Sequence, residues 1–253
     1  MKSVDFIPFI VVGDPSLEFS ERAVDVLIEN GASLIELGVP YSDALADGPV
    51  IQAASERASK SVSLDHVLKF TQKMAGKHKD FPFVIFTYFN PILKMGLKEF
   101  ARRAAESKVY AVLVVDLPPE ESTDYRAALE EQKIKAVFLA SPTTPLERVE
   151  KVAQCSTAFI YYVSRTGVTG EQKSVSSTLA AEIKQLRSVT DRKIAIGFGI
   201  SNAAQAKEVA LLGDAVVVGS AFVRITSERK SDSAALEQIA SLAKSMSAAI
   251  AES

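Results

Sequence analysis

Eight times along the chain a short apolar run is followed by a longer amphipathic segment. That alternation restricts the fold more than any other feature. The predicted strands are Phe6–Val12, Leu34–Val39, Phe83–Phe89, Ala111–Leu117, Ala136–Ala140, Ala158–Val163, Lys193–Ile196 and Ala215–Val218. The helical segments between and after them are Leu17–Asn30, the pair Val50–Lys60 and Leu64–Lys77, then Leu97–Ser107, Glu120–Gln132, Leu146–Ala153, Thr178–Val189, Ala203–Leu212 and Ala234–Ala251. The strands are apolar on both faces, as parallel strands covered by helices are. Eight such units without a linker or a break in composition predict an α/β fold, a single (β/α)8 TIM barrel spanning residues 1–253 as one domain. An open doubly wound sheet usually has fewer units. It would also carry a Gly-rich fingerprint after the first strand, where this chain has Gly13-Asp14-Pro15-Ser16.

Local chemistry supports these boundaries. Ser16 and Ser63 stand where helix N-caps belong, and Gly31 stands where a left-handed C-terminal residue closes a helix. Pro8 lacks a ladder donor and fits near the start of the first strand. Asn90-Pro91 reads as a turn after the third strand, and Pro118-Pro119 ends the fourth.

The composition excludes several function classes. The formal net charge is −2, with no basic run and no stripe of aromatics interleaved with Lys or Arg, so nothing points to nucleic acid. Ser227–Lys230 reads as a solvated loop. No apolar run reaches membrane-spanning length and no leader is recognisable, so a cytoplasmic enzyme is expected, or one of the plastid stroma in a photosynthetic eukaryote. Cys155 is the only cysteine, which rules out an internal disulfide and a thiolate metal cluster and reads as a structural thiol. The two histidines, His66 and His78, lie in polar helical segments, and no metal site or His-based triad is expected. The chemistry is left to carboxylates, hydroxyls and backbone.

Two carboxylates stand out in the stretch Ser33–Gln52. Glu36 lies in the middle of an apolar strand and shares a face with Leu34 and Gly38. Ionised there, it is costly unless paired, so it is either a misjudged strand edge in water or an acid–base group with a raised pKa aimed at a pocket. Asp47 follows on the loop after Pro40. By itself it reads as a turn or cap residue; with Glu36 it makes a carboxylate pair at the carboxyl end of the second strand, the end where barrel chemistry sits. Tyr161, on the sixth strand across the ring, reads equally as core filler or as a third residue at that mouth.

Glycines cluster in the last three units: Gly167 and Gly170 in the loop after strand six, Gly197 and Gly199 after strand seven, and Gly219 with Ser220 after strand eight. Glycine lets backbone N–H groups approach an anion. A phosphate commonly sits after strands seven and eight, at the N-terminus of a short helix, for which Ser220–Val223 is suited. The clusters point to a phosphorylated ligand; ordinary turn glycines are the alternative.

The stretch ELGVPYSDALADGPVIQ resembles the alpha subunit of tryptophan synthase. So do FIPFIVVGDP, TYFNPIL, VVDLPPEES, YYVSRTGVTG, GFGIS and VVVGSAFV, and the resemblance runs from Phe6 to the last helix. It implies a lyase that splits indole-3-glycerol phosphate by retro-aldol cleavage into indole and glyceraldehyde 3-phosphate, in tryptophan biosynthesis. The family's catalytic Glu falls on Glu36, its catalytic Asp on Asp47 and its active-site Tyr on Tyr161. Its substrate- and phosphate-binding residues fall on Gly170, Gly199, Gly219 and Ser220, with Phe198 and Thr169 beside them. It further implies no metal and no cofactor in this chain, and a heterotetramer of two alpha and two beta subunits whose beta subunit carries pyridoxal phosphate (PLP) and takes up the indole. There are departures: Ala44 stands where the family usually has Pro, which leaves the Asp47 loop less restrained, and Tyr41 where it often has Phe. The chain also starts almost at its first strand, so the bottom of the barrel is expected to be covered differently from the family's.

Two other readings remain open on sequence. One is a barrel retained mainly as an allosteric partner of the beta subunit, with little activity of its own; intact Glu36, Asp47 and phosphate glycines weigh against it. The other is a different barrel enzyme on a phosphorylated substrate, such as an isomerase of the same pathway, against which the ELGVPYSD and LADGP motifs weigh. The polar loop Arg165–Ser177 is longer than the roughly two to six residues usual for such connections and is expected to act as a lid, with Thr169 bonding Asp47; a disordered surface connector is the alternative.

Overall fold

Eight parallel strands pair in chain order: β1 (Asp5–Val11), β2 (Ile35–Gly38), β3 (Phe83–Thr87), β4 (Ala111–Val114), β5 (Lys135–Ala140), β6 (Ile160–Val163), β7 (Ile194–Gly197) and β8 (Ala215–Val218). β8 returns to β1 with Val216 opposite Phe6, and the sheet closes into a barrel. The computed structural model describes residues 4–164, 177–197 and 199–253. Around the ring lie α1 (Leu17–Glu29), α2 (Pro49–Ser59), α3 (Leu64–Lys77), α4 (Phe89–Met95), α5 (Leu97–Glu106), α6 (Thr123–Glu131), α7 (Leu146–Cys155), α8 (Ser177–Arg187), α9 (Ala203–Ala210), α10 (Ser220–Ser227) and α11 (Asp232–Ala251). This is the (β/α)8 barrel that the alternation predicts.

Strand periodicity separates two cores. Ile7, Leu34, Val84, Leu113, Val137 and Val217 turn inward and fill the barrel. Their neighbours Phe6, Ile35, Phe83, Val112, Phe138 and Val216 turn outward against the helices. Glu36 therefore belongs to the inner set, one position past Ile35 and two past Leu34. Register places it between Phe9 of β1 and Val84 of β3. Tyr161 is likewise an inner residue, between Leu139 of β5 and Ala195 of β7.

Among the described residues, three helix starts carry side-chain caps, one of them the predicted Ser16. The Ser16 hydroxyl accepts the Phe19 N–H at 3.1 Å, and Asn202 and Ser231 cap α9 and α11 in the same way. Gly31 adopts the left-handed φ of 96° expected beyond a helix end. Cys155 is buried at the end of α7.

The region after β3 departs from expectation. Asn90 and Pro91 are not a turn closing a strand that runs to Phe89; they lie in the first turn of α4, after a strand that stops at Thr87. A proline in a helical first turn removes no intrahelical bond. What starts this helix is distant in sequence: Asp116, just beyond β4, accepts the Phe89 N–H at 2.7 Å. β4 also stops early, at Val114, and Pro119–Glu121 form a short 3-10 turn before α6.

Candidate active site

The inward position makes Glu36 unusual. It is fully buried, and among the described residues neither carboxylate oxygen has a hydrogen-bond partner. Removal from water disfavours the charged form, and burial pushes the carboxyl up from 4.5 to about 8. The reading of Glu36 as a strand edge in water is thereby excluded: at neutral pH the group is mainly a neutral acid within the barrel mouth.

Asp47 reaches the same mouth from the loop between β2 and α2. The Tyr88 hydroxyl donates to its Oδ2 at 2.8 Å and accepts the Ala46 N–H at 3.0 Å. Gln52 Nε2 donates to the Asp47 carbonyl at 2.7 Å, and the Asp47 N–H bonds the Ala44 carbonyl at 3.1 Å. Burial raises the Asp47 carboxyl from 3.8 to about 6, against the opposing pull of the Tyr88 hydrogen bond. The two carboxylates thus stand apart in acidity, one neutral and one ionised at pH 7, a separation that assigns acid and base roles in other enzymes.

Tyr161 completes the group. Burial, and after it the charges of Glu36 and then Asp47, hold its phenol well above its ordinary value, so it stays protonated beside both carboxylates. Gly197 makes room for it: a Cβ on Gly197 would stand 2.8 Å from the Tyr161 hydroxyl. This glycine therefore serves the tyrosine, a role that its grouping with the phosphate glycines did not anticipate. A cleft of about 410 Å³ opens on the same face at the ends of β4 and β5, lined by Val115, Leu139, Val163 and Ala46 but not by Glu36, Asp47 or Tyr161.

The predicted anion end also lies on this face. Gly219 is the N-cap of α10 and Ser220 its first residue, and among the described residues no side chain caps the helix. A Cβ at Gly219 would make ordinary contacts with Phe9 at 3.5 Å and Ile51 at 3.6 Å, so α10 begins against the first turn of α2, four residues past Asp47. Gly199 has a left-handed φ of 66°, which favours glycine. Thr169, Gly170 and Phe198, and with them the Arg165–Ser177 lid, lie outside the described residues, apart from the helical backbone of Ser177. A larger cavity, about 780 Å³, opens at the opposite end of the barrel near Tyr110, Lys135 and Lys193. It is remote from Glu36 and Asp47, and barrel chemistry sits at the other face. Among the described residues no cluster of His, Cys, Asp and Glu is arranged to hold a metal ion.

The model of the tryptophan synthase alpha chain family matches residues 1–251. The chain belongs to that family. A tryptophan synthase alpha chain of Gloeobacter violaceus is 46% identical over 230 residues, covering 88% of this chain and 82% of its own. That of Hydrogenovibrio crunogenus is 44% identical over 242 residues, covering 95% and 89%. Among solved structures, the tryptophan synthase subunit alpha of Legionella pneumophila superposes with a TM-score of 0.91 at 32% identity, covering 99% of this chain and 94% of that one. A Mycobacterium tuberculosis tryptophan synthase in its aminoacrylate-bound form matches with a TM-score of 0.87 at 29% identity, over 98% and 94%. As an alpha chain of this family the protein is a lyase-type enzyme of tryptophan biosynthesis.

Two groups in this alpha chain are not singled out from its sequence, Tyr88 at the site and Asp14 beside it. Tyr88 stands at the carboxyl end of β3, so the rule that draws attention to Glu36 could have found it. Asp14, buried in the loop after β1, accepts both Nε and Nη2 of Arg57 at 3.0 and 2.8 Å, and Arg57 also reaches Ser227 at 2.8 Å. This clasp ties the end of α2 to the end of α10. Nothing in the local pattern of GDPS announces it.

Proposed function

We propose that the chain cleaves indole-3-glycerol phosphate by a retro-aldol reaction to indole and glyceraldehyde 3-phosphate. The observation that carries this reading is the pair of carboxyl groups of opposite charge state at one barrel mouth: Glu36 neutral near pH 7, Asp47 ionised. Protonated Glu36 donates its proton to the ring carbon that bears the side chain. The resulting carboxylate then takes the proton of the side-chain hydroxyl as the carbon–carbon bond breaks, which returns Glu36 to its starting state. One group with a pKa near the working pH suits both transfers. While the ring carbon carries the extra proton, positive charge gathers at the ring nitrogen, and the fixed carboxylate of Asp47 stabilises it. Tyr161 lines the mouth. The phosphate sits on the N-terminus of α10, at Gly219 and Ser220, with Gly199 beside it; Thr169, Gly170 and Phe198 complete the site in this reading.

The whole chain acts as one catalytic barrel, and no metal or organic cofactor enters these steps. A PLP-dependent beta subunit docks over the loop after β2 and receives the indole, in a heterotetramer of two alpha and two beta subunits. Leu45, 87% exposed at the tip of that loop, is available to such a contact. Among the described residues no helix is long and apolar enough to cross a membrane, and a cytoplasmic setting fits the reading. The test is indole release from indole-3-glycerol phosphate by the purified chain, alone and with a beta subunit. Release that disappears in Glu36→Gln supports the proposal; a chain inactive in both states leaves the barrel as an allosteric partner only.

A further inference from the structure

The loop that carries Asp47 has few contacts of its own, since Ser42, Asp43, Leu45, Ala46 and Gly48 are all exposed. Among the described residues, Gln52 of α2 holds the Asp47 carbonyl at 2.7 Å, and two tyrosines hold the rest of the loop. Tyr88 is 5% exposed, and its hydroxyl bridges the loop by donating to Asp47 and accepting from Ala46. The Tyr41 ring lies against the Tyr88 ring, with centroids 5.0 Å apart and planes at 32°. Tyr41 is itself held at three points. The Ser55 hydroxyl of α2 accepts its N–H at 2.8 Å and donates to its carbonyl at 3.0 Å. Its own hydroxyl accepts from Asn90 Nδ2 of α4 at 3.2 Å. Thus α2 holds the Tyr41 backbone and α4 ties its hydroxyl; the Tyr41 ring lies against Tyr88, and Tyr88 holds the carboxylate.

We propose that Tyr41 and Tyr88 form a clamp that seats the Asp47 loop in the chain by itself, with Tyr41 acting as a positioning residue through Tyr88. The proposal rests on Asp47 being the charge-stabilising carboxylate of the reaction above. The physical reason is pre-organisation: a loop already held in its working geometry does not have to be ordered when substrate or a partner arrives. Ala44 is 4% exposed and packed, yet lacks the stiffness of a proline; the tyrosines supply the restraint from outside the loop. The hydroxyl of Tyr41 matters because it gives the clamp its tie to α4, which a phenylalanine at this position would lack.

The clamp also has an electrostatic signature. Asp47 faces Tyr88 from the N-terminus of α4 and Tyr161 from β6, with Glu36 of β2 beside Tyr161. Among the described residues no Lys, Arg or His pairs with Asp47. A donor on a carboxylate favours its ionised form. Removing the Tyr88 hydroxyl therefore raises the pH at which Asp47 ionises, and turnover on the acidic side moves with it.

The experiment measures indole release by the full chain without a partner, across pH, for Tyr88→Phe, Tyr41→Leu, Tyr41→Phe and Asp47→Asn. Tyr88→Phe is expected to lower kcat about tenfold and to move the acidic limb up by about one pH unit, the scale of a hydrogen bond to a charged group. KM changes less. Tyr41→Leu is expected to follow in the same direction by about threefold, and Tyr41→Phe, which keeps the ring contact but loses the tie to α4, by about twofold. A destabilised but correctly built site would lose active enzyme without moving the limb. Wild-type kcat and limb in Tyr88→Phe, or in Tyr41→Leu, overturn the clamp. Should Tyr41→Leu fail to fold by circular dichroism, Tyr41→Phe and Asn90→Ala carry the test, with about a twofold loss expected and no loss overturning it. Asp47→Asn separates the two readings. Inactive Asp47→Asn with normal Tyr88→Phe refutes the clamp alone, whereas active Asp47→Asn refutes the role of Asp47 on which the clamp depends.

Discussion

Glu36→Gln probes activity and stability with one substitution: turnover is expected to be lost, while stability relative to the wild type is expected to rise with pH. The carboxyl is buried without a partner among the described residues, and its pKa stands at about 8 against 4.5 for an ordinary glutamate. In the unfolded chain it ionises above pH 4.5; in the folded chain it stays neutral until about pH 8. The folded state is therefore the tighter proton binder. Its stability from this group is complete below pH 4.5 and is lost progressively up to about pH 8. At 1.36 kcal/mol per pH unit, raising the pH from 5 to 7.5 costs the wild type about 3 kcal/mol through this group alone. Glutamine has no such dependence. Its buried amide carries its own penalty of about 1–3 kcal/mol, but that penalty is independent of pH. Urea denaturation of both proteins at pH 5 and pH 7.5 should show the stability difference shifting in favour of Glu36→Gln by about 3 kcal/mol. Indole release should fall by roughly 10²–10⁴-fold, the usual worth of a general acid–base group. A difference in stability that does not change with pH would refute the buried neutral carboxyl. A variant that keeps a tenth of wild-type turnover would refute its catalytic role.

Other consequences can be checked independently. The pH profile of kcat/KM should rise through about 6 as Asp47 ionises and fall above about 8 as Glu36 loses its proton; a profile flat from pH 5 to 9 contradicts the paired roles. Gly197→Ala places a methyl group 2.8 Å from the Tyr161 hydroxyl, so the ring must move; turnover should drop about tenfold as a residue lining the mouth is displaced, with circular dichroism unchanged. Arg57→Met strands the buried Asp14 carboxylate and should destabilise by about 2 kcal/mol in urea, less than the roughly 3–5 of a fully buried pair because the Arg57 side chain is 45% exposed; Asp14→Asn in the same chain should recover part of the loss. Leu45→Asp should weaken binding of a beta subunit measured by calorimetry while leaving indole release by the free chain within about twofold, since surface changes away from buried features are usually small.

Strand and helix periods are local properties, and the chain states them clearly. The alternation of apolar runs with amphipathic segments leads to a barrel because parallel strands need helical crossovers and cover on both faces. The same period-two rule put Glu36 on the face of Leu34, and the barrel confirms that this face is the interior. Motif resemblance likewise identified the family. Contacts between distant segments were not legible. Tyr88 meets Asp47 across 41 residues, Asp116 starts α4 across 27 and Arg57 joins Asp14 across 43. Each depends on where ring closure brings separate loops, and no local pattern encodes that. The acidity of the carboxyl groups was decided at the same level. A glutamate in a strand has no fixed pKa until the packing around it excludes water, and only the closed barrel does so. The sequence determined which residues stand at the mouth; the tertiary structure decided their charge, because desolvation belongs to the assembled site and not to the residue.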